Sequence, residues 1–207
     1  MIILHKAKEI INSNSLLQSL YDSSKSIIHI IPFFVVREGL IGHGEDEVCP
    51  KIDAKALEVV FLSQKDMRSI SEIPGVKETE QELLNRLEGG CQCLGLKFNS
   101  TIIAYMWSNL HYCDSKLLRF PLKEDEAYLT DARTIEEFKG RNLAPYLRYR
   151  FYRYLNDMGR TIIYSITEYF NRPAMAFKKK LGAKPVSLYL HISLFKKFIF
   201  TIRLKKY

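Results

Sequence analysis

The chain has 207 residues, 47 % of them hydrophobic and 26 % charged, with seven Pro and ten Gly. Those proportions describe a chain that buries a core and exclude disordered, collagen-like and low-complexity classes. The formal charge of +8 is unevenly spread. Residues 1–138 carry 15 Lys/Arg against 21 Asp/Glu, and residues 139–207 carry 16 against 2, a field suited to a diphosphate, an acidic lipid headgroup or nucleic acid.

Leu4, Ala7, Ile10 and Ile11 predict a short amphipathic helix, and Leu16–Tyr21 a second one after the break at Asn12–Ser15. The apolar run Ile27–Val36 starts too late for a secretion signal. It is far below the ~20 residues that a membrane-spanning helix needs, and Pro32 interrupts it. The expectation is a cytoplasmic protein without a transmembrane segment. Gly39, Gly42, Gly44 and Pro50 mark a loop, and residues 1–55 are set apart as an N-terminal extension of unassigned role.

From Ala56 onward the pattern sharpens. Ala56–Leu62 is a strand candidate, and Ser63 with Asp66 forms a capping-box pattern that opens a helix ending before Pro74-Gly75. Lys77–Leu87 is a second helix. Gln92–Phe98 and Thr101–Asn109 are strands joined at Asn99-Ser100, and Glu126–Thr134 is another strand. Leu143, Leu147, Phe151, Tyr154, Leu155 and Met158 recur at helical spacing, with Pro145 in the first turn and Gly159 as the stop. Thr161–Thr167 is β-branched and strand-like, and Pro173–Leu181 is a short helix. Val186–Leu194 and Phe198–Leu204 alternate as half-buried strands. The fold class is therefore mixed α/β, with residues 56–207 as the main domain.

The four cysteines suit reduced thiols; Cys91 and Cys93 lie too close for a zinc knuckle and share one face of a strand. The five histidines show no metal-ligand spacing, so no metal is predicted. His191, which alternates with apolar residues, is expected on the exposed side of its strand.

Arg133–Ala144 joins a strand to a helix. A helix N-terminus leaves about four backbone N–H groups unpaired and carries roughly half a positive charge, so a tight loop leading into it can wrap an anion. Gly140 permits close approach, and Lys139 and Arg141 add charge. Taken alone, the segment fits a diphosphate site or a solvated basic turn equally well.

Within it, Lys139-Gly140-Arg141-Asn142-Leu143-Ala144 resembles the acetyl-CoA signature Q/R-x-x-G-x-G/A of the GNAT acyltransferase family. Lys139 stands for Gln/Arg, and Asn142 for the first glycine of the G-x-G/A pair, a position where Asn tolerates a left-handed backbone. Asn171–Ala183 resembles the family's later N-x-x-A-x-x-F/L-Y-x-x-x-G-F/A stretch, with Lys178 where the family often carries Tyr. The resemblance spans about residues 56–194.

It implies a central, mostly antiparallel mixed sheet flanked by helices, here with an N-terminal helical extension. It also implies transfer of an acetyl group from acetyl-CoA to a primary amine. The pantetheine arm would bond to the main chain of Ala132 and Thr134, the amides of Lys139–Ala144 would cradle the diphosphate, and Asn171 and Phe177 would line the cofactor's other side. A backbone amide near Thr134 would stabilise the oxyanion.

Asp131 is the preferred base, with Glu126 and Glu168 behind it, while Tyr169 and Lys178 are candidate proton donors; for Lys178 a solvated helix face is the competing reading. Trp107 and His111 are candidate acceptor contacts. The basic C-terminal half suggests an anionic acceptor such as a nucleotide-linked amino sugar. Two alternatives stay open. One is a protein binding nucleic acid or a membrane surface through Arg148, Tyr149, Arg150, Tyr152 and Arg153. The other is a CoA-binding scaffold without catalysis.

Overall fold

The computed structural model describes residues 28–39, 48–53, 56–195 and 197–207. The two amphipathic segments expected before residue 22 lie outside these residues. Among these described residues ten strands form in chain order: β1 (Ile28–Arg37), β2 (Leu57–Phe61), β3 (Gln92–Phe98), β4 (Thr101–Asn109), β5 (Tyr112–Asp114), β6 (Arg119–Pro121), β7 (Glu126–Thr134), β8 (Ile162–Glu168), β9 (Lys184–Leu194) and β10 (Phe198–Lys206). Four helices accompany them: α1 (Gln64–Ser71), α2 (Glu80–Glu88), α3 (Leu143–Asp157) and α4 (Arg172–Lys180). Eight strands make one sheet in the order β10-β9-β1-β8-β7-β4-β3-β2, with β5 and β6 as a separate hairpin.

The expected mixed, mostly antiparallel sheet is present, and residues 28–37, which the sequence sets in the N-terminal extension, form one of its strands. β1 pairs antiparallel with β8 on one side and β9 on the other, deep inside the sheet. Pro32 does not break it. The β8 ladder begins at Phe33, and Pro32 lies one residue beyond, where its carbonyl accepts from Tyr169 N at 2.9 Å. In an antiparallel strand a residue's N and C=O point the same way. The absent proline N–H therefore falls past the end of the β8 ladder and costs no bond.

Two apolar layers cover the sheet. α3 lays Leu143, Leu147, Phe151 and Leu155 against Leu96, Ile103, Met106 and Leu129 on one face. On the other face α1 and α2 bury Met67, Ile70 and Leu83 against Cys93, Tyr105 and Trp107. The capping box at Ser63 is present: its N–H donates to Asp66 Oδ2 at 2.8 Å, while Lys97 Nζ donates to Asp66 Oδ1 at 2.7 Å. α2 starts three residues later than expected because Thr79 caps it. Thr79 N donates to Glu82 Oε2 at 2.8 Å, a second capping box. Cys91 and Cys93 both pack on the α1/α2 side, Cys93 buried, and both are free thiols.

Candidate functional site: an open strand edge leading to a helix N-terminus

β7 and β8 run parallel but stay paired only over Glu126–Tyr128 and Ile162–Tyr164. Beyond that point β7 continues to Thr134 and β8 to Glu168 without bonding to each other. The sheet thus splits into a wedge whose walls are backbone edges. On its other side β7 is bulged: Tyr105 pairs with Arg133 and Trp107 with Thr130, leaving Asp131 and Ala132 without a register partner in β4. Asp131 takes φ 48°, the left-handed conformation that one class of bulge uses. A bulge beside an unpaired edge turns main-chain N–H and C=O groups toward the opening, where an extended amide-bearing ligand can bond to them.

The wedge leads to the Arg133–Ala144 segment. A single 3-10 turn, Glu136–Phe138, precedes Gly140 at φ +76° and Asn142 at φ 60°, ψ 19°. Asn142 thus adopts the left-handed state expected for the residue replacing a signature glycine. Its side chain does not cap α3; Nδ2 donates instead to Cys49 O at 2.9 Å, and Lys51 N donates to Arg141 O at 2.9 Å. With no side-chain cap and no acid in its first turn, α3 offers its leading N–H groups to an anion.

A cavity of about 450 Å³ opens there, within the size range of small-ligand sites. Thr134, Lys139, Gly140, Asn142, Leu143 and Ala144 line it together with Lys51, Phe138 and Pro145. Arg141 is exposed on the rim, its guanidinium 5.1 Å from the centre of the Phe138 ring. Lys51, Phe138 and Pro145 were not among the expected residues. A β-branched side chain is strained in the left-handed region. Replacing Asn142 by Val is therefore expected to cost about 1–2 kcal/mol in chemical unfolding, while Asn142→Gly stays within about 0.5 kcal/mol.

The other expected residues sit elsewhere. Asn171 caps α4, accepting from Ala174 N at 3.2 Å, and Phe177 packs on the α3 core with the Arg148 guanidinium 5.5 Å from its ring. Neither reaches the cavity. Trp107 is 1 % exposed in the α1/α2 core, so burial removes it as an acceptor contact. The Arg86 guanidinium lies 4.3 Å from the centre of the Trp107 ring and donates to Asp131 Oδ2 at 2.8 Å. Asp131 is thus half of an ion pair between β7 and α2. His111 is exposed beside Gly90, at the end of the same face. Tyr169 stacks on Phe34 at 5.3 Å just past the open end of β8. Glu126 lies at the closed end, accepting from Tyr164 OH at 3.2 Å. His191 is buried, not exposed, and its Nδ1 lies 3.1 Å from Thr201 Oγ1.

Lys178 overturns the solvated-face reading. It is 6 % exposed and donates to Ser165 Oγ at 2.6 Å and Thr167 Oγ1 at 2.5 Å, with Glu38 Oε1 at 3.6 Å. Glu38 also accepts from Arg148 Nη2 at 3.0 Å and Nε at 3.1 Å, from Tyr152 OH and from Ser165 Oγ. Burial pushes the Lys178 ammonium down to about 8, with Glu38 opposing and Arg148 adding to the shift. Burial drives the Glu38 carboxyl up, but Arg148, Lys178 and the two hydroxyls outweigh it and hold the group below its usual range. One carboxylate with two cations thus joins β1, α3, β8 and α4. Next to Glu38, Gly39 lets the chain pass close to the end of α4: a Cβ there would fall 2.3 Å from the Gly182 carbonyl carbon.

The same burial answers the nucleic-acid reading of α3. Arg148, Tyr149 and Tyr152 are turned into the core and are not available to stack on bases. Among the described residues, no helix is long and apolar enough to cross a membrane.

Neither a protein-family model nor a curated protein matches the chain. Solved structures do. A putative acetyltransferase of the GNAT family from Novosphingobium aromaticivorans aligns with TM-score 0.56 at 16 % identity, over 79 % of this chain and 64 % of that one. A tandem GNAT protein from the clavulanic acid biosynthesis pathway aligns with TM-score 0.58 at 10 % identity, over 92 % and 59 %. The ribosomal-protein-S18-alanine N-acetyltransferase of Escherichia coli aligns with TM-score 0.50 at 15 % identity, over 61 % and 76 %. The chain spans roughly three-fifths of the length of the first two. At these identities the likeness is one of fold: the chain has the fold of GNAT acetyltransferases.

Proposed function

We propose that the chain is an N-acyltransferase that binds acetyl-CoA along the open edge of β7 and passes the acetyl group to a primary amine. The single observation carrying this reading is that β7 runs from the unpaired, bulged stretch Asp131–Ala132 to Thr134, which lines the cavity at the α3 N-terminus. An extended amide chain ending in a diphosphate matches both parts. Pantetheine bonds to the backbone around Ala132 and Thr134, and the diphosphate meets the α3 amides flanked by Lys51, Lys139 and Arg141.

In this reading the neutral amine attacks the thioester carbonyl, and a backbone N–H near Thr134 receives the oxyanion. The C–S bond then breaks, the thiolate takes a proton, and the new ammonium loses one. Tyr169 serves as the proton donor to sulfur. Asp131 is the carboxylate nearest the bulge, and Arg86 must release it before it can accept the amine's proton. Lys178 transfers no proton here, because its ammonium is engaged by Ser165, Thr167 and Glu38. The excess of cations after residue 138 favours an anionic acceptor, such as a nucleotide-linked amino sugar.

A second reading, a CoA-binding scaffold without turnover, is favoured by the buried Lys178 and by the ion-paired Asp131. Thiol release from acetyl-CoA across a panel of amines separates the two. Amine-dependent release above the hydrolysis background supports the enzyme, and its absence for every amine, with acetyl-CoA binding intact, supports the scaffold.

A further inference from the structure

Among the described residues, β10 is the edge strand of the sheet and has no neighbour beyond β9. Cross-strand pairs share a face. Register therefore places Phe200 beside Ile192 and Ile30, Ile202 beside Leu190, and Phe198 at the end of the same apolar plane. Phe198, Phe200, Ile202 and Ile30 each expose more than half of their surface, an arrangement that water disfavours and that marks a contact surface. Residues 195–207 also contain five Lys/Arg and no Asp or Glu. Arg203, Lys205 and Lys206 are exposed on β10 itself; Lys205 pairs across to Leu188 and so shares the apolar face, while Arg203 and Lys206 pair with Tyr189 and Ser187 and lie on the reverse face of the edge strand.

We propose that this β1/β9/β10 face docks on an anionic lipid bilayer. An occupant must take up aromatic and aliphatic side chains and at the same time neutralise Lys205 on that face and the cations Arg203 and Lys206 along the same edge strand, with no intervening acid. A bilayer interface offers both, acyl chains for the apolar plane and anionic headgroups for the lysines. Interfacial depth also leaves the outer N–H and C=O groups of β10 in reach of water and headgroups, so the unpaired edge is not buried in hydrocarbon. A second copy fits worse. Antiparallel self-pairing about Ile202 would set Lys205 of each copy opposite Ile199 and Lys206 opposite Phe198 of the other, cations against apolar side chains. Nucleic acid would meet the lysines and stack on Phe198 or Phe200, but gains nothing from Ile199, Ile202 and Leu204.

The test is co-sedimentation of the full chain with vesicles of phosphatidylcholine, alone or with about 30 % phosphatidylglycerol, at low and high salt. The chain should partition onto the anionic vesicles at least ~10-fold more strongly than onto the neutral ones, and salt should weaken the binding. Phe200→Ser with Ile202→Ser, and separately Lys205→Glu with Lys206→Glu, should each weaken partition by ~10-fold or more while leaving the melting temperature unchanged. Equal partition onto both vesicle types, or none, overturns the proposal. So does a dimer in light scattering that the Phe200/Ile202 variant abolishes, or salt-sensitive oligonucleotide binding that the Lys205/Lys206 variant abolishes.

Discussion

Replacing Glu38 by Ala is expected to destabilise the folded chain by about 3–5 kcal/mol in urea unfolding. The substitution strips the buried Arg148 and Lys178 of their shared carboxylate, while Ser165 and Tyr152 lose an acceptor. Water cannot reach the site to compensate, since the side chains of Arg148, Lys178 and Glu38 are 5 %, 7 % and 0 % exposed. Lys178→Met is the companion variant, removing one cation while Glu38 keeps Arg148. It also changes the pH dependence. The folded Lys178 titrates near 8, whereas an unfolded lysine titrates near ~10.4, so from about pH 8 to 10 the unfolded chain binds more protons. Stability linked to Lys178 therefore rises with pH through that window, by on the order of 2–3 kcal/mol, and Lys178→Met should lack the rise. A loss below about 1 kcal/mol for Glu38→Ala would mean that the three charges do not form one buried unit.

The second large effect concerns binding. Reversing Lys51, Lys139 and Arg141 to Glu changes the cavity rim from three cations to three anions while leaving the core untouched. Each charge-assisted bond to a phosphate is worth roughly 1.5–3 kcal/mol, less where solvent screens it. The triple variant should weaken acetyl-CoA binding by about 100-fold or more and lower the salt sensitivity of what remains. Lys139 also pairs with Glu136, so the single Lys139→Glu change should have the smallest effect of the three. Calorimetric titration of the unaltered chain, the three single variants and the triple variant checks the order, and an unchanged affinity in the triple variant would place the diphosphate elsewhere.

Local grammar was readable in the sequence where a few neighbouring residues decide the outcome. The 3.6-residue repeat of Leu143, Leu147, Phe151 and Leu155 specified α3, Ser63 and Asp66 specified the start of α1, and Asn142 announced its left-handed backbone. The start of α2 was misplaced because the Thr79–Glu82 box is an equally local signal that went unread. The run around Pro32 carried no strand assignment. Its meaning depends on where β8 ends, which no short window contains. The buried charges were beyond reach for the same reason. Three consecutive lysines on a short helix resemble a solvated face until Glu38, 110 residues before Arg148, is known to lie under α3 and α4. Lys51 likewise reaches the cavity only because its loop bonds to Arg141. The split between β7 and β8 is a property of two ladders, not of either strand.

The most direct measurement of the central claim is the thermal unfolding of the full chain with and without acetyl-CoA. Ligand at about 100-fold over its Kd adds roughly 2.7 kcal/mol to folded-state stability, a rise in Tm of about 5–10 °C for a chain of this size. A rise of that order, lost in the Lys51/Lys139/Arg141 triple variant, is the predicted result. No rise at millimolar acetyl-CoA would contradict the assignment of the β7 edge and the α3 N-terminus to coenzyme A.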